Sequence, residues 1–220
     1  MPVSNFRNDI QPALTKLGCN SGACHGSQYG KGGFKLSLLG FDTEADYDAI
    51  VKDLKGRRID LELPADSLIL RKPSLAMPHG GGRRFAANSA TYNLLLSWIS
   101  SGVAPPVAAD PMLVSVDVNP ASQTLAAGEK IAIRATVRFN NGTSRDVTAL
   151  ARIEILNDSV AEISPEAVVT AKGGGRAAVL ARYMGRSAVA NLLAPFAPSS
   201  PIRGFQPNNY IDQIVAAKWS

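Results

Sequence analysis

Cys19-Asn20-Ser21-Gly22-Ala23-Cys24-His25-Gly26 holds both cysteines of the chain and one of its two histidines. A cysteine pair closed directly by a histidine is the attachment signature of c-type haem, normally with two residues between the thiols. Here the spacing is C-x4-C-H. The inserted residues are small or turn-prone, so the extra length can bulge outward. The pattern predicts one covalently bound haem c, with Cys19 and Cys24 anchoring the ring and His25 turned onto the iron. Three other readings stand beside it: a Cys19–Cys24 disulfide, a zinc site from Cys19, Cys24, His25 and His79, and two unmodified thiols next to a surface histidine.

Upstream, Phe6, Ile10, Ala13, Leu14 and Leu17 fall at helical spacing, so an amphipathic helix is expected to run into the cysteine loop. Pro12 requires that this helix start nearby or kink there. Downstream, Gly26 to Gly40 is glycine-rich and reads as an irregular loop. Its Phe34, Leu36, Leu38 and Leu39 would pack on a ring edge or form a small core. A second helix opens at Asp42 or Thr43 with acids in its first turn and stops at Gly56.

Met77-Pro78-His79-Gly80-Gly81-Gly82-Arg83-Arg84-Phe85 is the second informative stretch. A six-coordinate haem needs a second axial ligand. His79 is the expected one, with Met77 as the alternative, since in an extended segment both point to one side. Arg83 and Arg84 carry the guanidinium groups suited to haem propionates. Ser89 then caps a helix whose Leu94, Leu95, Trp98 and Ile99 share a face, closed by Gly102.

After the proline- and alanine-rich stretch Ala104–Pro111 the period changes to two. Residues 113–118, 130–137 and 177–183 alternate like half-buried strands, separated by turn signals such as Asn141-Gly142, Gly173-Gly174-Gly175 and Met184-Gly185. Several short strands with regular turns indicate a β-sandwich.

Taken in order, F-x-x-D-I-x-P-x-L, C-H-G, S-L-x-L-x-K, M-P-H-G-G-G-x-R-F and the Y-x-x-L-x-x-W-I-x-x-G helix resemble the cytochrome c-like domains of large planctomycete-type surface proteins. The resemblance implies haem c with His25 and His79 as axial ligands. Residues 112–196 resemble the bacterial Ig-like group 2 domains, through L-A-A-G-E, D-V-T, N-D-S-V-A-E-I and V-V-T-A-K-x-G-G. That resemblance implies a spacer or adhesive surface.

The expected architecture is multidomain, an all-α cytochrome c-like domain plus an all-β Ig-like sandwich. Its boundaries are 1–106 for the haem domain, 107–111 for a linker and 112–196 for the sandwich. Residues 197–220 would be a second linker and the start of a following domain. The expected function is electron transfer by a monohaem module mounted on an Ig-like spacer. Its partner would be a redox protein or downstream domains of the same polypeptide. A cell-surface adhesion or scaffold fragment without haem, and a haem-based gas sensor, are the alternatives. No general base or nucleophile set is visible, so no enzyme activity is expected.

The net charge of +5 is modest and spread out, with 12 Lys+Arg against 9 Asp+Glu over residues 1–106. That excludes the clustered basic stripe of a nucleic-acid surface. No run of about 18 apolar residues reads as a membrane span. Covalent haem attachment is extracytoplasmic chemistry, so the protein is expected in the periplasm or outside the cell. Met1–Asn5 has no apolar signal core, so the export signal is expected to have been removed.

Overall fold

A computed structural model describes residues 4–197 and 205–219 of the chain. Met1–Val3 and most of the expected linker Ala197–Pro201 lie outside the described residues.

The first segment opens with a π-turn, Phe6–Ile10, capped by the Asn5 side chain, which accepts the Asn8 N–H at 2.9 Å. It leads directly into α1, Gln11–Lys16, where Pro12 sits in the first turn and breaks no hydrogen bond. The expected helix is therefore present, with its irregularity placed just before the proline. Next come α2, Thr43–Val51, capped by Asp42 through the Ala45 N–H, and the short turn α3, Asp53–Gly56. Leu54 and Lys55 adopt positive φ there, and Leu54 is exposed. The turn α4, Leu68–Arg71, is followed by α5, Ala90–Ser100, capped by Ser89 as expected.

These pieces share one apolar centre. Phe6, Ile10, Ile50, Leu70, Leu95 and Trp98 are each completely buried. Phe6 meets Tyr47 edge-on at 5.3 Å and Trp98 at 5.4 Å. The Tyr47 hydroxyl donates to the Val103 carbonyl and the Trp98 indole N–H to that of Ala104. These two bonds fix where the chain leaves α5 and turns toward the strands.

Ten strands follow among the described residues. They are β1 Leu113–Asn119, β2 Ser122–Thr124, β3 Lys130–Ala132, β4 Arg134–Phe139, β5 Ser144–Asp146, β6 Arg152–Ile155, β7 Ala161–Ile163, β8 Val168–Ala171, β9 Gly175–Tyr183 and β10 Arg186–Ala194. They form three small sheets, β1-β4-β5, β2-β10-β9-β6 and β3-β8-β7, and only the β2–β10 pair is parallel. The run 130–137, expected as one strand, is split. The Ile133 N–H donates to the Ala167 carbonyl, so the chain pairs with β8 before this residue and with β1 after it. One strand direction thus serves two sheets, as at the corner of a packed sheet pair. Asn141-Gly142 makes the β4–β5 hairpin, with Gly142 at φ 81°. Met184-Gly185 makes the β9–β10 hairpin with both residues at positive φ. Between the sheets lie Ala135, Ala151, Ala181 and Ala190 together with Val137, Val169 and Val179, whose small side chains let the layers approach closely. A helix, α6 Tyr210–Trp219, ends the described chain.

The architecture corrects the expectation of an all-α cytochrome c-like domain beside an independent Ig-like sandwich. Sheet is the dominant element, and the longest helix of the first hundred residues spans only 11 residues. The helical pieces are seated on the strands as one mostly-β unit. Protein side chains form the apolar centre of the helical layer, Trp98 foremost. Trp98→Ala should lower the unfolding free energy by about 3–5 kcal/mol. Urea denaturation measures it, and a loss below about 1 kcal/mol would place the core elsewhere.

Candidate functional site

The end of α1 sets the geometry of the cysteine loop. Gly18 takes φ 74°, and the Cys19 N–H returns to the Leu14 carbonyl at 3.0 Å, which turns the Cys19 side chain into the core. The loop then folds on itself. The Cys24 N–H donates to Ser21 O at 2.9 Å, the His25 N–H to Cys19 O at 2.9 Å and the Gly26 N–H to Ser21 O at 3.0 Å. A Cβ on Gly26 would lie 2.1 Å from the Asn20 carbonyl oxygen, so this closure requires glycine.

The second stretch is tied down separately. The Met77 N–H donates to Arg71 O and the Arg84 N–H to Pro73 O, which folds the segment back along α4. His79 and Gly82 close a tight turn through the Gly82 N–H and the His79 carbonyl at 2.9 Å.

These two stretches meet. The His25 and His79 ring centroids are 6.3 Å apart with planes 17° from parallel. The Arg84 guanidinium donates to the Cys24 sulfur at 3.6 Å. Each imidazole is oriented by a backbone carbonyl at Nδ1, that of Phe34 at 2.9 Å for His25 and that of Gly82 at 2.8 Å for His79. A carbonyl only accepts, so Nδ1 carries the proton and Nε2 the lone pair in each neutral ring. Phe34 also packs on the His25 ring at 4.6 Å and receives the Arg58 guanidinium over its face at 4.2 Å. Burial pushes the His25 pKa below its ordinary value, and the nearby His79 charge acts in the same direction. Burial raises the Cys19 thiol to about 11, with Arg84 opposing it.

The fold therefore sets His25 beside His79 and Arg84 against Cys24, with Cys19 buried in the core. Arg83 is exposed, and Met77 is half-buried. Both cysteines are free thiols, so the Cys19–Cys24 disulfide is not formed. His25 and His79 are the ligand types placed near each other. Among the described residues, no three His, Cys, Asp or Glu side chains stand close enough to form a metal-holding set.

A different polar centre, unmarked in the sequence, joins the helical pieces to the strands. Arg145 on β5 donates from one terminal nitrogen to Asp9 Oδ1 at 2.7 Å. Its other terminal nitrogen donates to the Asn8 carbonyl at 2.5 Å and the Tyr183 hydroxyl at 2.9 Å. The Tyr183 hydroxyl, nearly fully buried on β9, donates to the same Asn8 carbonyl at 2.6 Å. Burial drives the Tyr183 phenol up to about 12, so it stays a donor across the physiological range. Around this centre the Asn8 amide donates to Pro111 O at 3.0 Å and the Lys16 ammonium to Ala149 O at 2.8 Å. Asp110, buried in the stretch expected as a linker, accepts from Asn5 and from the Val107 N–H.

No family model and no curated protein matches the chain. Among solved structures it is similar to pieces of the S-layer protein SbsC. Domains 4 and 5 of that protein align at 12% identity over 39% of this chain and 54% of that one, with a TM-score of 0.35. The SbsC fragment 31–844 aligns at 14% identity over 44% of this chain and 15% of that one, with a TM-score of 0.36. The chain thus spans from about half down to a small part of the solved chains it matches.

The resemblances to planctomycete-type cytochrome c-like and bacterial Ig-like group 2 domains are accordingly corrected, and with them haem c, electron transfer and the gas-sensor alternative. No family model supports them, and the cysteine spacing is not C-x2-C-H. The described residues hold no metal-holding set. Arg84, expected on a propionate, lies against the Cys24 sulfur. The zinc reading fails on the same missing set.

The two thiols should differ in reactivity. At pH 8, iodoacetamide should modify Cys24 at least tenfold faster than Cys19, whose thiolate is suppressed and whose side chain is buried. Peptide mass mapping over time reads the order, and equal rates would contradict the placement of Cys19 in the core.

Proposed function

We propose that the chain is a structural segment of an exported, cell-surface protein, holding its neighbours at a fixed spacing and orientation. The observation that carries this reading is the Arg145–Asp9–Tyr183–Asn8 clasp. A flexible linker between two independent modules needs no such feature. Here a guanidinium bridges strand and helical layers through three partners, and Asp110 anchors the connecting chain. Charge-assisted hydrogen bonds are stronger than neutral ones, and the Arg145 side chain, 37% exposed, keeps the part of that gain that solvent does not screen. A joint so made ties the orientation of the first turn to that of β5 and β9.

On this reading the chain is not itself an enzyme. Its work is mechanical, and its partners are adjoining parts of the same polypeptide or neighbouring molecules at the surface. No helix among the described residues is long and apolar enough to cross a membrane.

Location supplies the test. Lys130 and Lys172 lie on exposed strand and loop positions. In intact cells making the full-length protein, a membrane-impermeant amine reagent should label peptides containing these lysines. Labelling that appears only after lysis would overturn the surface assignment.

A further inference from the structure

The seam between α1 and the β9–β10 hairpin encloses a cleft of about 240 Å³. Four cationic side chains line it: Lys16 from α1, Arg152 from β6, and Arg182 and Arg186 from the hairpin, while Leu39 and Met184 supply apolar wall. We propose that this cleft is a binding site for a small organic oxyanion, a carboxylate or phosphate group carried on a short apolar stem. This goes beyond the structural role and does not depend on it.

Two features argue for an anion. Arg152 and Arg182 stand directly opposite each other in the β6–β9 register. Like charges in that relation repel and destabilise a sheet unless something neutralises them. The carboxylate available is that of Glu154, which contacts Arg152 at 2.6 Å and reaches Arg182 only at 4.0 Å. It covers one guanidinium well and the other poorly. The second feature is Lys16. Its ammonium is half-buried and held by the Ala149 carbonyl at 2.8 Å and the Thr148 carbonyl at 3.5 Å. Among the described residues no carboxylate lies within ion-pair distance of Lys16 or Arg186. A desolvated ammonium with carbonyl partners alone loses hydration that an incoming oxyanion restores. Burial accordingly pulls the Lys16 pKa below its ordinary value.

The guanidinium groups offer planar paired donors that match a carboxylate or phosphate. Leu39 and Met184 give the stem an apolar surface. The volume is below the usual span for drug-sized ligands, roughly 300–1,000 Å³, so the ligand is small.

Citrate and inorganic phosphate are the probes, titrated at low ionic strength against the whole chain with calorimetric readout. Saturable binding of either is expected, and the tighter one names the headgroup. The Lys16→Met/Arg186→Gln double variant should bind at least tenfold more weakly, while Arg138→Gln, a guanidinium outside the cleft lining, should bind as the parent does. Retained thermal stability of each variant shows that the fold is intact. Absence of saturation with both probes would overturn the proposal. So would an equal loss on Arg138→Gln, which would mark a general charge effect.

Discussion

A single guanidinium decides how this molecule is put together. Arg145 leaves β5, crosses the seam and engages Asp9, the Asn8 carbonyl and the Tyr183 hydroxyl at once. The Asn8 carbonyl accepts from both Arg145 and Tyr183, so the π-turn that carries it is fixed in position and orientation. Everything that hangs from that turn inherits the constraint: Phe6 in the aromatic centre, α1 leading into the cysteine loop, and Lys16 over the cleft. The clasp's donors and acceptors are matched at the two terminal nitrogens of Arg145 and at the Tyr183 hydroxyl, while Arg145 Nε is buried without a partner. A half-buried cation without its carboxylate, or a buried phenol without its carbonyl, would carry the desolvation cost uncompensated.

The two halves solve the core problem differently. In the helical layer a few large side chains fill the centre, with Phe6, Tyr47 and Trp98 in edge and tilted contact. Between the sheets, alanine and valine dominate and the strands are short, so the layers gain from close approach rather than from bulk. One buried acid inside the helical layer is well matched. Asp46, almost wholly buried, accepts from the Gln11 amide and from both the backbone and hydroxyl of Ser37. Burial raises the Asp46 pKa, and those donors work against the rise.

Local chemistry was readable wherever the information is local. Asp42 and Ser89 cap the helices that their spacing announces, Asn141-Gly142 and Met184-Gly185 turn the hairpins, and Ser115 to Val118 alternates as a strand should. The Cys24-His25 and His79–Arg84 stretches meet directly, ring against ring and guanidinium against sulfur, which neither stretch announces by itself. The cofactor did not follow. A Cys-Cys-His string reports residue types, whereas a prosthetic group needs a donor set, and the described residues bring no such set together. The division of 130–137 at Ile133 was hidden because both halves alternate alike, and only the partner across the ladder changes. The clasp was hidden for a stronger reason. Asp9 and Arg145 are 136 residues apart, and each reads in its own neighbourhood as an ordinary solvated charge.

If the clasp makes one body of the helical and strand layers, heat should unfold them together. Differential scanning calorimetry of the whole chain, beside its Arg145→Ala variant, tests this most directly. The account predicts a single transition for the parent, with calorimetric and van't Hoff enthalpies equal, and a broadened or divided transition for the variant. Two separate transitions in the parent, both unmoved by Arg145→Ala, would contradict it.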